Sequence, residues 1–417
     1  MKRGLVLGAL VIVGALLAAV SAARQTPSAA SIQVDKVRDN LYVLRGGGGN
    51  TAAFITAKGV TLVDTKLPGW GKPILEKLKE ITEKPVITII NTHTHFDHVG
   101  GNVEFPATVE VVTHENTATL MREMRPVTGG PEQPNVFKEK NGLGLPSRTF
   151  KDRMTLGSGD ERIELYYFGR AHTGGDAFVV FPALRILHTG DAFALKIVPL
   201  IDANNGGSGV EYPKTIAKAA AALKNIDTVI TGHTPTTLTM ADLKTYADFT
   251  REFVQTVQSA KKAGRTIDDV VNSWKVPERF QKDSYLTPDE VQQLTRWTPA
   301  VQRARLRANV EVVWNETKPL TGASAEAPSE KLVLTGTVTA ISQVYAERPS
   351  RRNWAVTIRV EKVKEGKFSQ PEFTFTVHSP ALAGMEVGGH CTIEATWTGQ
   401  GYIVDDARWM RDKGAVR

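Results

Sequence analysis

Residues Thr92–Asn102, THTHFDHVGGN, place three of the chain's nine histidines and an aspartate within six positions: His93, His95, Asp97 and His98. They follow the β-branched run PVITII, which reads as a buried strand. A lone histidine is ordinarily a surface or core residue, but a cluster this dense asks for another explanation. Imidazole and carboxylate are the ligands of zinc and similar first-row metals. In an extended segment, residues two apart point the same way, so His93 and His95 can hold one ion. If the chain then turns into a helix, Asp97 and His98 can face a second ion beside it. Gly100 and Gly101 allow the backbone to turn tightly there, and a helix is expected after them. The carboxyl end of a buried strand is where ligand sites form in layered α/β folds.

A chelating or bridged site needs ligands from elsewhere in the chain. They are present at the ends of strand-like runs, each close to glycine: His172 in GRAHTGGD, Asp191 in LHTGD and His233 in ITGHTP. Among the other histidines, His114 in VVTHENT sits at a strand end and is a candidate for substrate contact, with a structural role as the alternative. Tyr212, after the loop DANNGGSGVE, is a second such candidate and equally suits a helix start. His188 reads as a packing residue, and His378 and His390 as surface or core.

Residues 31–66 alternate apolar and polar residues in short runs broken by glycine, as strands do. Gly46–Gly49 can cradle a ligand with backbone amides or form a flexible hairpin loop. Helical spacing marks 72–84 (Ile74, Leu75, Leu78, Ile81), 115–124 and 213–224. Residues 125–150 carry glycine and proline without periodicity and form a candidate lid or binding loop. From 240 to 315 the pattern is helical; Thr239 with Asp242 resembles a capping pair, and Thr287-Pro288-Asp289-Glu290 a capping box. Residues 318–330 read as a linker. Residues 331–412 alternate at period two, as a small all-β unit does, OB-like or a sandwich. Its Trp354, Trp397 and Trp409 suit either exposure or a core.

The motifs THTHFDHVGG, AHTGGD, HTGD and TGH, in that order, resemble the ligand motifs of the metallo-β-lactamase fold superfamily over residues 31–240. The resemblance implies an α/β fold, an αββα sandwich with the site on one edge, a helical extension over 241–317 and the separate all-β domain after it. Position by position, it implies that His93, His95 and His172 hold one metal and Asp97, His98 and His233 a second. Asp191 would bridge them, and Asp64 in LVDT would support the ligands from outside. Two Zn2+ are implied, with iron or manganese able to use the same ligands.

The resemblance implies hydrolysis by a hydroxide shared between two ions, with Asp97 orienting the nucleophile. Fold and ligands do not name a substrate. An aspartate at 191 is typical of glyoxalase II-like and lactonase-like members, which points to an ester, thioester or lactone. β-Lactam hydrolysis is the alternative, since NTHTHFDHVGGN resembles that branch. An iron-dependent redox role is weaker, because diiron oxygen reductases of this fold have glutamate where this chain has His95 and need a flavin partner. Nuclease action and a purely binding role fit less well still.

Residues 1–23 combine Lys2 and Arg3, an apolar run and small residues, a secretory signal with cleavage expected after Ala22 or Ala23. The expected location is periplasmic or secreted, without a stable membrane anchor. The single cysteine, Cys391, excludes an internal disulfide. The net charge of +7 is spread among acids, and no basic run interleaved with aromatics points to nucleic acid. The expected partner is a small-molecule substrate, with the C-terminal domain free to bind a partner or mediate dimerisation.

Overall fold

The computed structural model describes residues 27–283, 285–286, 298–317, 330–345, 352–368, 371–377, 385–397, 402–404 and 410–411. The expected leader 1–23, most of the 318–330 linker, the capping box at Thr287–Glu290, His378 and Trp409 lie outside the described residues.

Seven strands form one sheet in chain order: β1 (Gln33–Arg38), β2 (Leu41–Arg45), β3 (Thr51–Ile55), β4 (Val60–Val63), β5 (Val86–Ile90), β6 (Glu110–His114) and β7 (Arg148–Phe150). Pairing is antiparallel from β1 to β4 and parallel from β4 to β7. The second sheet has five strands, β8 (Arg153–Leu156), β9 (Ile163–Tyr166), β10 (Phe178–Phe181), β11 (Ile186–His188) and β12 (Thr228–Ile230), in the order β12-β11-β10-β9-β8. Only β11 and β12 are parallel there.

Period-two alternation decides what covers each face. In β10, Val179 and Phe181 turn toward the first sheet and pack with Val63, Ile90 and Val112. Phe178 and Val180 turn outward and pack against Tyr212, Ile216, Phe249 and Val313 from helices. In β5, Ile90 faces inward, while Ile89 faces out against Trp70, Ile74 and Leu78 beside the helix Gly71–Lys79. Both sheets are thus apolar on both faces, and helices must cover the outer ones. This is the αββα sandwich.

The outer layer of the second sheet comes largely from the region expected as an extension. The helix Met240–Lys262 carries a reciprocal capping box between Thr239 and Asp242. Its Tyr246, Phe249 and Phe253 share one core with β10 and with Val310 and Val313 of the helix Pro299–Glu316. These helices are a structural layer of the sandwich, and the strands alone would leave that face exposed.

The chain divides into two compact units, Met1–Pro319 and Leu320–Arg417. The second is an antiparallel sheet in the order β15 (Glu372–Val377), β14 (Arg352–Glu365), β13 (Lys331–Tyr345), β16 (His390–Trp397), β17 (Tyr402–Val404), with β18 (Met410–Arg411) also paired to β16. Leu332, Leu334, Val356, Ile358, Ile393 and buried Cys391 form its own core. Trp354 packs against that core. No helix among the described residues is long and apolar enough to cross a membrane.

Candidate metal centre

The parallel strands deliver the candidate ligands at their carboxyl ends. Asp64 follows β4, His93 to His98 follow β5, Asp191 follows β11 and His233 follows β12. Residues 92–94 form a bend, so the strand does not continue through the motif. His95 is the N-cap of the helix Phe96–Val99, which puts Asp97 and His98 in its first turn. The α-helix therefore precedes Gly100 and Gly101, contrary to the expected order, and a 3-10 turn, Gly100–Glu104, occupies the glycines.

His93, His95, His172 and Asp191 converge, as do Asp97, His98 and His233. The imidazole centroids of His93 and His95 are 4.7 Å apart and those of His95 and His172 are 4.4 Å apart. Asp191 lies between the groups: its Oδ1 is 3.3 Å from His98 Nε2, and its Oδ2 is 3.7 Å from His172 Nε2 and 3.2 Å from His233 Nε2. Asp97 Oδ2 is 3.3 Å from His233 Nε2. Asp97 and His233 are half-buried at the mouth, and the other ligands are buried.

Outer partners set the proton on each ring. His95 Nε2 donates to Asp202 Oδ2 (2.7 Å), His98 Nδ1 to Asp64 Oδ2 (2.8 Å) and His172 Nδ1 to the Leu200 carbonyl (2.7 Å). Thr92 Oγ1 gives its hydrogen to Asp64 Oδ2 and so accepts from His93 Nδ1 at 3.0 Å. His93, His95 and His172 thus each turn an unprotonated nitrogen inward, and His98 turns Nε2 toward Asp191. His172 Nε2 and His95 Nδ1 then face each other at 2.9 Å with a lone pair on both sides, and His93 Nε2 is buried with no hydrogen-bond partner. Such an arrangement is repulsive unless a cation sits among the nitrogens, and the donor chemistry suits a divalent first-row ion.

The electrostatics agree for His93 and His172, whereas at His98 and His233 the charges of Asp191 and Asp97 outweigh burial and raise the imidazoles. Burial, then the neighbouring imidazoles His98, His95 and His172, hold His93 well below the ordinary imidazole range. Burial and then His95 lower His172 to about 4. Burial raises Asp191, but the charges of His233 and His98 outweigh it and keep the carboxyl well below the usual range. Asp64 also accepts from Thr92 N at 2.8 Å and holds φ +63°, a left-handed conformation that aims the carboxylate at His98.

The two candidates for substrate contact take the structural alternative. Tyr212 is fully buried, and its hydroxyl donates to the carbonyls of Asp191 and Ala192, both at 3.1 Å. His114 is also buried; its Nδ1 caps the helix Glu115–Glu123 by accepting from Asn116 N, and its ring stacks on Tyr167 with centroids 4.0 Å apart. Residues 125–150 are not wholly irregular, since they hold the short helix Val136–Glu139 and β7.

Other contributors carry no sequence signal. Asp202 also accepts from Thr128 N (2.9 Å), Thr128 Oγ1 (2.8 Å) and Asn205 Nδ2 (2.6 Å), so the 125–150 segment is tied to the anchor of His95. Burial raises Asp202, but the hydrogen bond and charge of His95, with the bonds from Thr128 and Asn205, together outweigh it and keep the carboxyl well below its usual range. Asn309 Oδ1 accepts from Ile201 N at 2.9 Å, which joins the helix Pro299–Glu316 to the same loop. One turn before it, Arg305 feels the charges of Asp191 and Asp97, although burial lowers its pKa to about 10.

Residues 44–233 match the family model described as the metallo-beta-lactamase superfamily. The chain is 24% identical over 231 residues to metallo-beta-lactamase type 2 of Elizabethkingia meningoseptica, covering 50% of this chain and 80% of that protein. It is 28% identical over 165 residues to the 2,4-dinitroanisole O-demethylase subunit alpha of Nocardioides sp. (strain JS1661), covering 39% of this chain and 46% of that protein. A solved metallo-beta-lactamase from Pontibacter korlensis aligns with a TM-score of 0.44 and 22% identity, over 53% of this chain and 99% of that one.

Proposed function

We propose, from the premise that residues 44–233 belong to the metallo-beta-lactamase superfamily, that this chain is a hydrolase using two divalent metal ions on an ester, thioester or lactone. The position of Asp191 carries the two-ion reading: one carboxylate spans both donor groups, within 3.7 Å of His172 and 3.3 Å of His98. Zinc suits the histidine-rich set best, and iron and manganese can use the same donors. When bound, such a pair supplies Lewis acidity to a carbonyl oxygen and brings the pKa of a shared water toward neutrality.

The chain's own residues do the remaining work. Asp64, Asp202, Thr92 and the Leu200 carbonyl hold the imidazoles in their inward-facing tautomers. Asp97, half-buried at the mouth, is placed to orient the attacking water, take its proton at Oδ2 and return it to the leaving group. No serine or cysteine nucleophile is required, and the single cysteine lies in the second unit.

The aspartate at 191 favours the ester, thioester and lactone class. β-Lactam hydrolysis is the second reading, favoured by the likeness to metallo-beta-lactamase type 2. Zinc-loaded protein is to be assayed on an aryl ester, a thioester, an acyl lactone and a chromogenic cephalosporin, each with a chelated control. Chelator-sensitive turnover of one of the first three supports the proposal. Turnover of the cephalosporin alone moves the chain to the second reading, and no turnover of any of the four counts against hydrolysis. The pattern of residues 1–23 supports export, which predicts a mature N-terminus at Ala23 or Arg24.

A further inference from the structure

Four glycines, Gly46–Gly49, link β2 to β3 and pass directly behind one half of the metal cluster. Gly49 N donates to the Asp97 carbonyl at 2.9 Å, and a Cβ at Gly49 would overlap the His98 imidazole. The next residue, Asn50, holds the His233 turn: its N donates to the Gly232 carbonyl at 2.7 Å, and its Nδ2 donates to the carbonyls of Thr231 and Thr234, each at 2.9 Å. Arg45, at the start of the loop, adds a bond from Nη1 to the Thr234 carbonyl at 2.7 Å. The segment 45–50 therefore touches Asp97, His98 and the turn that carries His233. The anchors of His93, His95 and His172 are other groups: Thr92, Asp202 and the Leu200 carbonyl.

A run of glycines has no side chains with which to hold its own shape, and ordering it is entropically expensive. Lys66 does the holding. Its side chain is fully buried, and Nζ donates to the carbonyls of Leu44 and Gly49, both at 2.8 Å, which closes the two ends of the loop. Its backbone takes φ +69°, a conformation costly for any side chain but glycine, and its carbonyl accepts from Gly101 N at 3.2 Å below the ligand helix. A buried ammonium is also costly, and the charges of Asp64 and Asp97 offset part of that cost. Apolar packing alone would not need a lysine here, whereas two facing carbonyl oxygens need a donor.

We infer that Lys66 is a positioning residue which, through the glycine loop, controls occupancy of the Asp97–His98–His233 half of the cluster separately from the His93–His95–His172 half. The inference rests on the two-ion reading above, and wild-type stoichiometry tests that reading by itself. The full chain is to be prepared as wild type, Lys66→Met, Asn50→Ala and, as a control on the other half, Asp202→Asn. Each is stripped, checked for folding by circular dichroism and titrated with Zn2+ against a competing chromophoric chelator.

Wild type should bind two equivalents. Lys66→Met and Asn50→Ala should weaken one equivalent by about 10- to 100-fold, the usual effect of losing an outer partner, and leave the other within about twofold. Asp202→Asn should weaken the equivalent that the first two variants spare. This selectivity separates positioning from general destabilisation, which would weaken both. Equal loss of both equivalents, or no change in either, overturns the inference. A wild type that binds one equivalent overturns the two-ion reading. If Lys66→Met does not fold, the Asn50→Ala titration decides alone.

Discussion

The two halves of the ligand cluster are built by different means. His93, His95 and His172 are each fixed by a specific outer acceptor, two of them side chains, inside a fully buried pocket. Asp97 and His233 are half-buried at the mouth, and their half is braced mostly by backbone: the glycine loop, the 231–234 turn and the Lys66 staple. The exception is His98, which rests on the Asp64 carboxylate. A half held by specific outer acceptors should fail through single substitutions at those acceptors. A half held by a loop should fail through anything that loosens the loop.

Asp191 belongs to both halves, so its removal should have the largest effect. Asp191→Ala should lower kcat/KM by at least about a hundredfold, more than the loss of an outer partner, and should reduce zinc from two equivalents to one. Full activity with one equivalent bound would refute the shared-ion mechanism. Next come the carboxylate anchors. Asp202→Asn and Asp64→Asn each remove an acceptor for a ligand N–H, so each should weaken zinc by about 10- to 100-fold. The Asp202 variant should act on the His95 side alone, and the Asp64 variant on the His98 side and, through Thr92, on His93. A cobalt-substituted spectrum, with distinct bands for the two positions, would distinguish them; identical spectral changes would erase the proposed division.

The division was only partly legible in the sequence. The ligands announce themselves because histidine is scarce and each candidate lies near glycine at the end of a strand-like run. The αββα sandwich follows from strands that are apolar on both faces, as β5 and β10 are. The supporting residues give no such signal. Asp202 meets His95 across 107 positions of chain, and nothing in DANNGG distinguishes its carboxylate from any surface loop acid. Nothing in LVDTK shows that Lys66 is buried with Nζ on the Leu44 and Gly49 carbonyls. For Tyr212 and His114, after a loop and at a strand end, the sequence leaves substrate contact and a structural role both open. Burial decides for the structural role only once the helix Met240–Lys262 and the ring of Tyr167 are in place.

The Lys66 staple has a smaller consequence that separates it from neighbouring histidines. Burial lowers its pKa from 10.5 to about 7 in the folded chain, partly opposed by Asp64. Between about pH 7 and 10.5 the unfolded state holds more protons at this residue, so its titration makes folding more favourable as pH rises through that window. Below about pH 7 both states carry the proton and the contribution is flat. Urea midpoints of metal-stripped wild type and Lys66→Met, measured at pH 7 and pH 9, should therefore shift in favour of wild type at the higher pH. A pH-independent difference would mean that the ammonium is hydrated and the loop is open.

The smallest effect expected is that of Tyr212→Phe, and it tests how much of the Asp191 geometry is held from behind. The tyrosine hydroxyl donates to the carbonyls of Asp191 and Ala192 in the 3-10 turn Gly190–Phe193, within the aromatic core that the helix Met240–Lys262 closes. Phenylalanine keeps the packing volume and removes only the hydrogen bond, leaving two buried carbonyls short of a donor. That costs about 1–3 kcal/mol, which for a unit of this size lowers Tm by a few degrees, roughly 2–4 °C per kcal/mol. The turn has a second restraint, because Gly232 N donates to the Gly190 carbonyl at 2.9 Å. Zinc affinity should accordingly fall by less than about tenfold, below the usual loss for an outer ligand partner. A larger fall, affecting both equivalents together, would show that the bridging carboxylate is positioned chiefly by Tyr212 and that the two halves share one support.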